Sequence, residues 1–122
     1  TELWPGDRLQ RAHALQWMFF EQYTHEPAIA VARFIVQFQK APDDPRLPGL
    51  RERGPRALAV MEQHLARQPF FAAGRFSIAD IALFAYAHRA DEGGIELAAY
   101  PAVRDWLARC RAVPGVTKMP RP

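Results

Sequence analysis

The stretch RFSIADIALFAYAHRADEGG, residues 75–94, sets one serine ahead of a nearly unbroken apolar run and one aspartate three residues after it. Ser77 and Asp80 have the S-x-x-D spacing of a helix capping box, in which each side chain bonds the backbone N–H of the other residue. The residues that follow are apolar on almost every side. We therefore expect a central, buried helix over Ile78–His88.

We interpret Asp80 as a structural residue. The first backbone N–H groups of a helix have no partner within the helix, and a buried unpaired donor costs about 1–3 kcal/mol. A helix that begins in the protein interior therefore needs its own cap. Ser77 is the only serine of the chain and is committed to this cap, so a Ser/His/Asp triad is not supported.

Length and composition predict one globular domain over residues 1–122. Hydrophobic residues make up 49% and charged residues 24% of the sequence, which is typical of globular and not of disordered proteins. No apolar run approaches the ~20 residues that a membrane span needs, so we expect no membrane partner. The single cysteine, Cys110, excludes a disulfide framework and favours a cytoplasmic protein.

Neither a nucleic-acid site nor a metal site is expected. The formal charge of +3 is concentrated in residues 101–122, and a short basic tail is weak support for phosphate binding. One cysteine and widely spaced histidines do not make a metal-ligand cluster. We predict that Cys110 is an unreactive thiol on the inner face of the last helix. The four histidines are His13, His25, His64 and His88.

Helical spacing recurs in four blocks separated by proline and glycine, and no strand pattern accompanies it. The first block, Asp7–Gln39, is apolar around so much of its circumference that it should contact protein on more than one side. Pro27 predicts a kink or a restart within this block. Residues 40–49, rich in proline and aspartate, predict a loop.

The remaining blocks complete the predicted bundle. The second block is Leu50–Gln68, in which Gly54-Pro55 marks either a kink or the true start of the helix. The last block, Pro101–Ala112, begins with proline where a missing N–H costs nothing, and it carries Asp105 and Arg109 at an i,i+4 ion-pair spacing. The pattern predicts an all-α bundle around the central capped helix.

Three segments of this chain resemble the C-terminal helical domain of cytosolic glutathione transferases, particularly the bacterial ones. They are GDRLQRAHALQWMFFEQYTHEP, RFSIADIALFAYAH and YPAVRDWLARCRAVPGV, and the capped FSIAD segment is the most specific of them. The resemblance covers essentially all 122 residues. It implies a right-handed helical bundle that follows a thioredoxin-like domain, with residues 1–6 as a remnant of the interdomain linker.

The resemblance also implies which domain of the parent enzyme binds each substrate and which one activates the thiol. Glutathione, the co-substrate, is held mainly by the thioredoxin-like domain, which also carries the Tyr, Ser or Cys that activates the thiol. No βαβ pattern precedes Trp4, so we expect this chain to supply no catalytic residue and to be inactive alone. The helical domain of the family supplies the pocket for a small hydrophobic electrophile.

By the same resemblance, residues of the first helix and of the capped helix line that electrophile pocket. The candidate substrate-binding residues are Phe19, Tyr23, Glu26 and His88. The first helix of the family also forms a homodimer interface. Two polar residues, Glu21 and Gln22, are the candidates to reach the glutathione of a partner subunit.

The alternative function is not enzymatic. It is that of a transferase-like helical module that acts as a non-catalytic protein-interaction adaptor, as in some translation factors and synthetases. The fold does not separate the two functions, because function resides in sites grafted onto a fold. A thioredoxin-like domain with a thiol-activating residue immediately upstream favours the enzyme, and its absence favours the adaptor.

Overall fold

The computed structural model describes residues 2–122, which fold into five α-helices with one π-helical turn and one 3₁₀ turn. In chain order the elements are α1 (Arg8–Phe20), the π-turn (Glu21–His25), α2 (Glu26–Gln37), α3 (Leu47–Leu65), α4 (Ile78–Ala87), the 3₁₀ turn (Ala90–Gly93) and α5 (Pro101–Ala112). Within residues 2–122 no strand forms, and the expected all-α class is confirmed. None of the helices in this range has the length and apolar character needed to cross a membrane.

Helix α4 lies in the middle of the bundle and contacts α1, α2 and α5, whereas α3 packs against α2 and α5. Leu83 and Ala87 on α4 are completely buried, as is Trp106 on α5. Burial of α4 is less complete than its apolar sequence predicts, since Ile81 is 43% exposed. The reason is an open groove between α4 and residues 113–119.

The capping box predicted from Ser77 and Asp80 is present at the start of α4. The Ser77 backbone N–H donates to Asp80 Oδ2 (2.9 Å), and the Ala79 N–H donates to Ser77 Oγ (3.3 Å). The other carboxylate oxygen, Oδ1, accepts from Trp106 Nε1 on α5 (2.9 Å) and from the Phe71 N–H (3.2 Å). Asp80, which is fully buried, thereby joins α4, α5 and the segment that precedes α4.

The first block forms one helical segment without a loop. Its α-helical hydrogen-bond pattern changes at the π-turn, where the Glu26 backbone N–H donates to the Glu21 carbonyl, five residues back. Pro27 comes next and occupies the first turn of α2, where its missing N–H is tolerated. The irregularity that the sequence places near Pro27 is therefore a widened turn just upstream of it.

Helix α3 begins at Leu47, inside the predicted loop, and not at Leu50. It continues through Pro55, so Gly54-Pro55 is not its start, and the Pro55 carbonyl accepts a hydrogen bond from the Tyr100 hydroxyl (3.1 Å). A Cβ atom at Gly54 would lie 2.5 Å from Cδ1 of Ile95. Glycine at this position therefore allows the close packing of α3 against Ile95.

Helix α5 has the predicted bounds, but the ion pair expected on its surface does not form. Arg109 donates from Nε and Nη2 to the Pro69 carbonyl, at 3.0 and 2.9 Å, and not to Asp105. The carbonyl lies in the turn between α3 and α4, so Arg109 links α5 to that turn. The inner face of α5 is buried as expected; its members are Val103, Trp106, Leu107 and Cys110.

Replacing Asp80 by Ala is expected to lower the free energy of unfolding by about 3–5 kcal/mol, because it leaves buried N–H donors without an acceptor. Trp106→Phe removes one donor to Asp80 and replaces the buried indole by a smaller aromatic ring, and should cost about 2–4 kcal/mol, less than or similar to the loss of Asp80. Urea denaturation measures both. Asp105→Ala, an exposed aspartate on α5, is the matched control and should change stability by less than about 0.5 kcal/mol. An Asp80→Ala variant as stable as this control would contradict the structural role of the carboxylate.

Candidate functional site

The four predicted substrate-binding residues do not share one cavity. Phe19 and Tyr23 lie on the outer surface, 68% and 90% exposed. Tyr23 borders a shallow depression toward α3, whereas Glu26 borders a separate cavity along α2. His88 is buried at the end of α4 and borders a third cavity, the groove beneath residues 113–119. The cavity that Glu26 borders is also bordered by the exposed rings of Phe34 and Phe38.

Glu21 points into the bundle, so the expectation that it reaches a partner subunit does not agree with the structure. It is 5% exposed, and its Oε2 accepts a hydrogen bond from Gln22 Nε2 (2.9 Å). His25, one turn on, is completely buried with Nδ1 3.9 Å from Glu21 Oε1, too far for a hydrogen bond. Gln22 itself is exposed.

An aromatic shelf on α2 lies open to solvent next to a cavity. We define the shelf as Phe34 and Phe38, whose rings stack with centroids 5.9 Å apart and remain 52% and 54% exposed. The adjoining cavity, of about 390 Å³, is also bordered by Glu26, Tyr86 and Met119. Sequence reasoning missed the shelf, although residues 26, 30, 34 and 38 follow one helix face at i,i+4 spacing.

A buried ion pair forms the wall behind the shelf. Arg33 Nε donates to Glu92 Oε2 at 2.6 Å, and both side chains are almost fully buried. Glu92 Oε1 also lies 3.1 Å from Arg121 Nη1, an ion-pair contact without hydrogen-bond alignment. Gly93 permits this approach, since a Cβ atom there would lie 2.8 Å from the Arg33 backbone N. The pair holds α2 and the 3₁₀ turn at a fixed separation.

His88 anchors the C-terminal segment that closes one end of the cavity. The Met119 backbone N–H donates to His88 Nε2 (3.0 Å), so the proton of the neutral ring is on Nδ1, which donates to the Phe84 carbonyl (2.6 Å). Arg89 Nε donates to the Met119 carbonyl (3.0 Å). Both ring nitrogens of His88 are thus used within the fold, which favours a structural role over substrate binding.

Stability should fall with acidification below pH 6.5. Burial lowers the pKa of His88, with a smaller contribution from Arg89, and outweighs the opposing hydrogen bond to the Phe84 carbonyl. A histidine whose folded pKa is depressed stabilises the fold above its unfolded pKa and loses that contribution as pH falls, by at most about 1.4 kcal/mol per pH unit. Urea titrations from pH 7.5 to 5.5 should show the decline.

His88→Gln keeps an acceptor for Met119 and removes the titration, so the pH slope should be shallower than in the parent chain. His13→Gln removes an exposed histidine and is the matched control; it should leave the slope unchanged. Equal slopes for the parent chain and the His88→Gln variant would show that His88 does not carry the effect.

Cys110 is expected to resist thiol reagents in the native protein. Burial, with a smaller effect of the Asp80 charge, raises the pKa of the Cys110 thiol to about 12. Because the thiolate is the reactive form, labelling by an aromatic disulfide reagent should be at least about 100-fold slower in the folded than in the unfolded chain. The single cysteine makes the readout unambiguous. Rapid labelling of one full equivalent under native conditions would contradict this assignment.

Comparison with known proteins identifies the family. The model of the glutathione S-transferase C-terminal domain matches residues 28–109. The crystal structure of a glutathione S-transferase from Xanthobacter autotrophicus Py2 is 45% identical and superposes with a TM-score of 0.95 over 99% of this chain and 60% of its own. A theta class glutathione S-transferase from Xanthomonas axonopodis pv. citri, solved with glutathione bound, is 27% identical, with a TM-score of 0.81 over 93% of this chain and 60% of its own.

A curated relative supports the same family assignment. The glutathione S-transferase-like protein tpcF of Aspergillus fumigatus is 32% identical to this chain, in an alignment that covers 88% of this chain and 53% of that protein. The chain belongs to the glutathione S-transferase family and is the C-terminal domain of that family. It spans about half the length of the curated relatives that it matches.

Proposed function

We propose that the chain is the helical half of a glutathione transferase that joins the thiolate of glutathione to small hydrophobic electrophiles. The observation that carries this proposal is the aromatic shelf. Two stacked phenylalanines stay more than half exposed beside a cavity of about 390 Å³, although burial of each ring would stabilise the domain by ~1.5–3 kcal/mol. Exposed apolar surface next to a cavity is typical of ligand sites.

In this proposal the electrophile packs against Phe34 and Phe38 and is bordered by the polar groups of Glu26 and Tyr86. The Arg33–Glu92 pair holds the wall of the cavity without presenting an unpaired charge to the substrate. The attacking sulfur must lose its proton before it bonds to the electrophilic atom, since the thiolate is the nucleophile. We assign that activation, and most of the binding of glutathione, to a thioredoxin-like domain that precedes this chain.

The outer face of the first helix fits a contact surface of the complete protein. Phe19 and Tyr23 are large and exposed, and Gln22 lies between them on the same turn. We assign these three residues to a surface that the thioredoxin-like domain, or the second subunit of a homodimer, covers in the complete protein. A cytoplasmic location accords with a single buried, reduced cysteine.

The test is to join this chain to the portion of the Xanthobacter protein that precedes the matched helical domain. The fused protein should conjugate glutathione to 1-chloro-2,4-dinitrobenzene, and this chain alone should show only the background rate. Phe34→Ala and Phe38→Ala in the fused protein should each lower kcat/KM by about 5–10-fold, the loss of roughly 1–1.4 kcal/mol of apolar contact.

Leu9→Ala, a substitution of an exposed apolar residue of α1 away from the shelf, is the control and should leave kcat/KM unchanged. Conjugation by this chain alone would contradict the assignment of thiol activation to another domain. A folded fused protein that binds glutathione but does not catalyse conjugation would favour the alternative function, a non-catalytic protein-interaction adaptor. Full activity in both phenylalanine variants would contradict the placement of the electrophile.

A further inference from the structure

The lining of the shelf cavity carries two charged side chains, Glu26 and Arg33, and they differ in whether their charge is balanced. Arg33 Nε donates to Glu92 Oε2 at 2.6 Å, and both side chains of this pair are buried. Within residues 2–122, no arginine, lysine or histidine forms an ion pair with Glu26. A cavity that is lined by an unpaired carboxylate favours a ligand with a positive charge.

The arginines behind the cavity do not change this balance. Arg89 Nε donates to the Met119 carbonyl (3.0 Å) and lies 3.7 Å from Glu92 Oε1. Arg121 lies 3.3 Å from Asp91 Oδ2 and 3.1 Å from Glu92 Oε1. Neither arginine borders the cavity, and the charge of each is offset by an acidic neighbour. The unpaired carboxylate is therefore the charge that a ligand in the cavity meets.

The position of Glu26 sets how far such a ligand must reach. Glu26 and Phe34 lie eight residues apart on one face of α2, so their Cα atoms are separated by about 12 Å along the helix. Ala30 lies between them and borders the cavity, and its small side chain leaves room for a flat ligand. A ligand that contacts both ends must be longer than a single ring with an aminomethyl group.

The exposed rings of the shelf also favour a cation. The face of an aromatic ring is the negative pole of its quadrupole and attracts a cationic group within about 6 Å. The Arg33 guanidinium occupies such a position 5.3 Å from the centroid of the Phe38 ring. Phe34 has no cationic partner within the described part of the chain and is 52% exposed, and Tyr86 borders the same cavity. Aromatic rings beside a carboxylate are typical of sites for organic cations.

We propose that the shelf cavity selects two-ring aromatic compounds that carry an ammonium group, and that Glu26 determines this preference. The fused rings lie against Phe34 and Phe38, and the ammonium group donates to the Glu26 carboxylate. This preference concerns the cavity in which the proposed function places the electrophile, and so it rests on that proposed function. Binding alone tests it, because it involves no covalent step.

The experiment is an NMR titration of this chain at pH 7 and low salt with three ligands that share one ring system. They are 2-naphthylmethylammonium, the neutral 2-naphthalenemethanol and the anionic 2-naphthoate. The ammonium compound should bind at least about 5-fold more tightly than the alcohol, and the carboxylate more weakly than the alcohol. The ring signals of Phe34 and Tyr86 and the methyl signal of Met119 should shift in a saturable manner. The buried Trp106 indole, which donates to Asp80, should not shift.

Paired variants test the role of Glu26. Glu26→Gln should weaken binding of the ammonium compound by about 5–10-fold and change binding of the alcohol by less than about 2-fold. Glu96→Gln removes the same charge from an exposed position outside the cavity and should leave both affinities unchanged within about 2-fold. Comparison of the two variants separates a local contact from the general attraction of a more negative protein. The dispersion of the amide spectrum verifies that each variant is folded.

A pair of one-ring ligands tests the predicted length. Benzylammonium cannot contact Phe34 and Glu26 together, so its affinity should exceed that of benzyl alcohol by less than about 2-fold. A preference as large as that of the naphthyl pair would contradict a ligand that spans both residues.

The fused protein described above tests whether Glu26 remains available beside the preceding domain. Calorimetry should show the same preference for the ammonium compound over the alcohol. Loss of the preference only in the fused protein would show that a group of the preceding domain pairs with Glu26, which would overturn the proposal. A fused protein that is inactive but keeps the preference would contradict the transferase function and leave the cation preference intact.

Three results with this chain alone would also overturn the proposal. The first is equal affinity for the ammonium compound and the alcohol, which would leave conjugation of neutral electrophiles unaffected. The second is a preference of the same size in the Glu26→Gln variant. The third is the absence of saturable shifts at Phe34 and Tyr86, including the case in which the largest shift is that of the Trp17 indole.

Discussion

The Asp80 carboxylate is the point at which α4 is held to the rest of the bundle. It accepts hydrogen bonds from the backbone of Ser77 and Phe71 and from the Trp106 indole. Burial raises the pKa of Asp80, because a carboxylate out of water is less stable in its charged form, and these donors act against that shift. The hydrogen bonds that fix α4 in place are therefore the same ones that reduce the free-energy cost of burying the Asp80 carboxylate.

The shelf cavity depends on the far end of this helix. His88, which directly follows α4, holds Met119 against that cavity. Ten helical residues span only about 15 Å, and α4 is packed on several sides, so it forms a rigid link between the hydrogen bonds of Asp80 and the shelf cavity.

Features that follow local rules could be predicted from the sequence, and those that need tertiary placement could not. Ser77 and Asp80 are three residues apart, so the start of α4 follows from their spacing. The bond from Trp106 to Asp80 joins residues 26 positions apart and leaves no local pattern. Phe34 and Phe38 were missed because aromatic residues at helical spacing are usually core, and only the packed bundle shows that about half of each side chain stays exposed.

The π-turn at Glu21–His25 accommodates Pro27 within the helical backbone. A proline inside an α-helix clashes with the carbonyl four residues back, which for Pro27 is that of Tyr23. The π-turn inserts room immediately before the proline, through the i→i+5 bond from Glu26 to Glu21. Glu21 and His25, four residues apart, face the interior with His25 Nδ1 3.9 Å from Glu21 Oε1, while Tyr23 between them is 90% exposed. Glu21 was assigned to a subunit contact from the family resemblance, and the residues around it carry no local signal of burial, so only the packing of the bundle shows where its side chain lies.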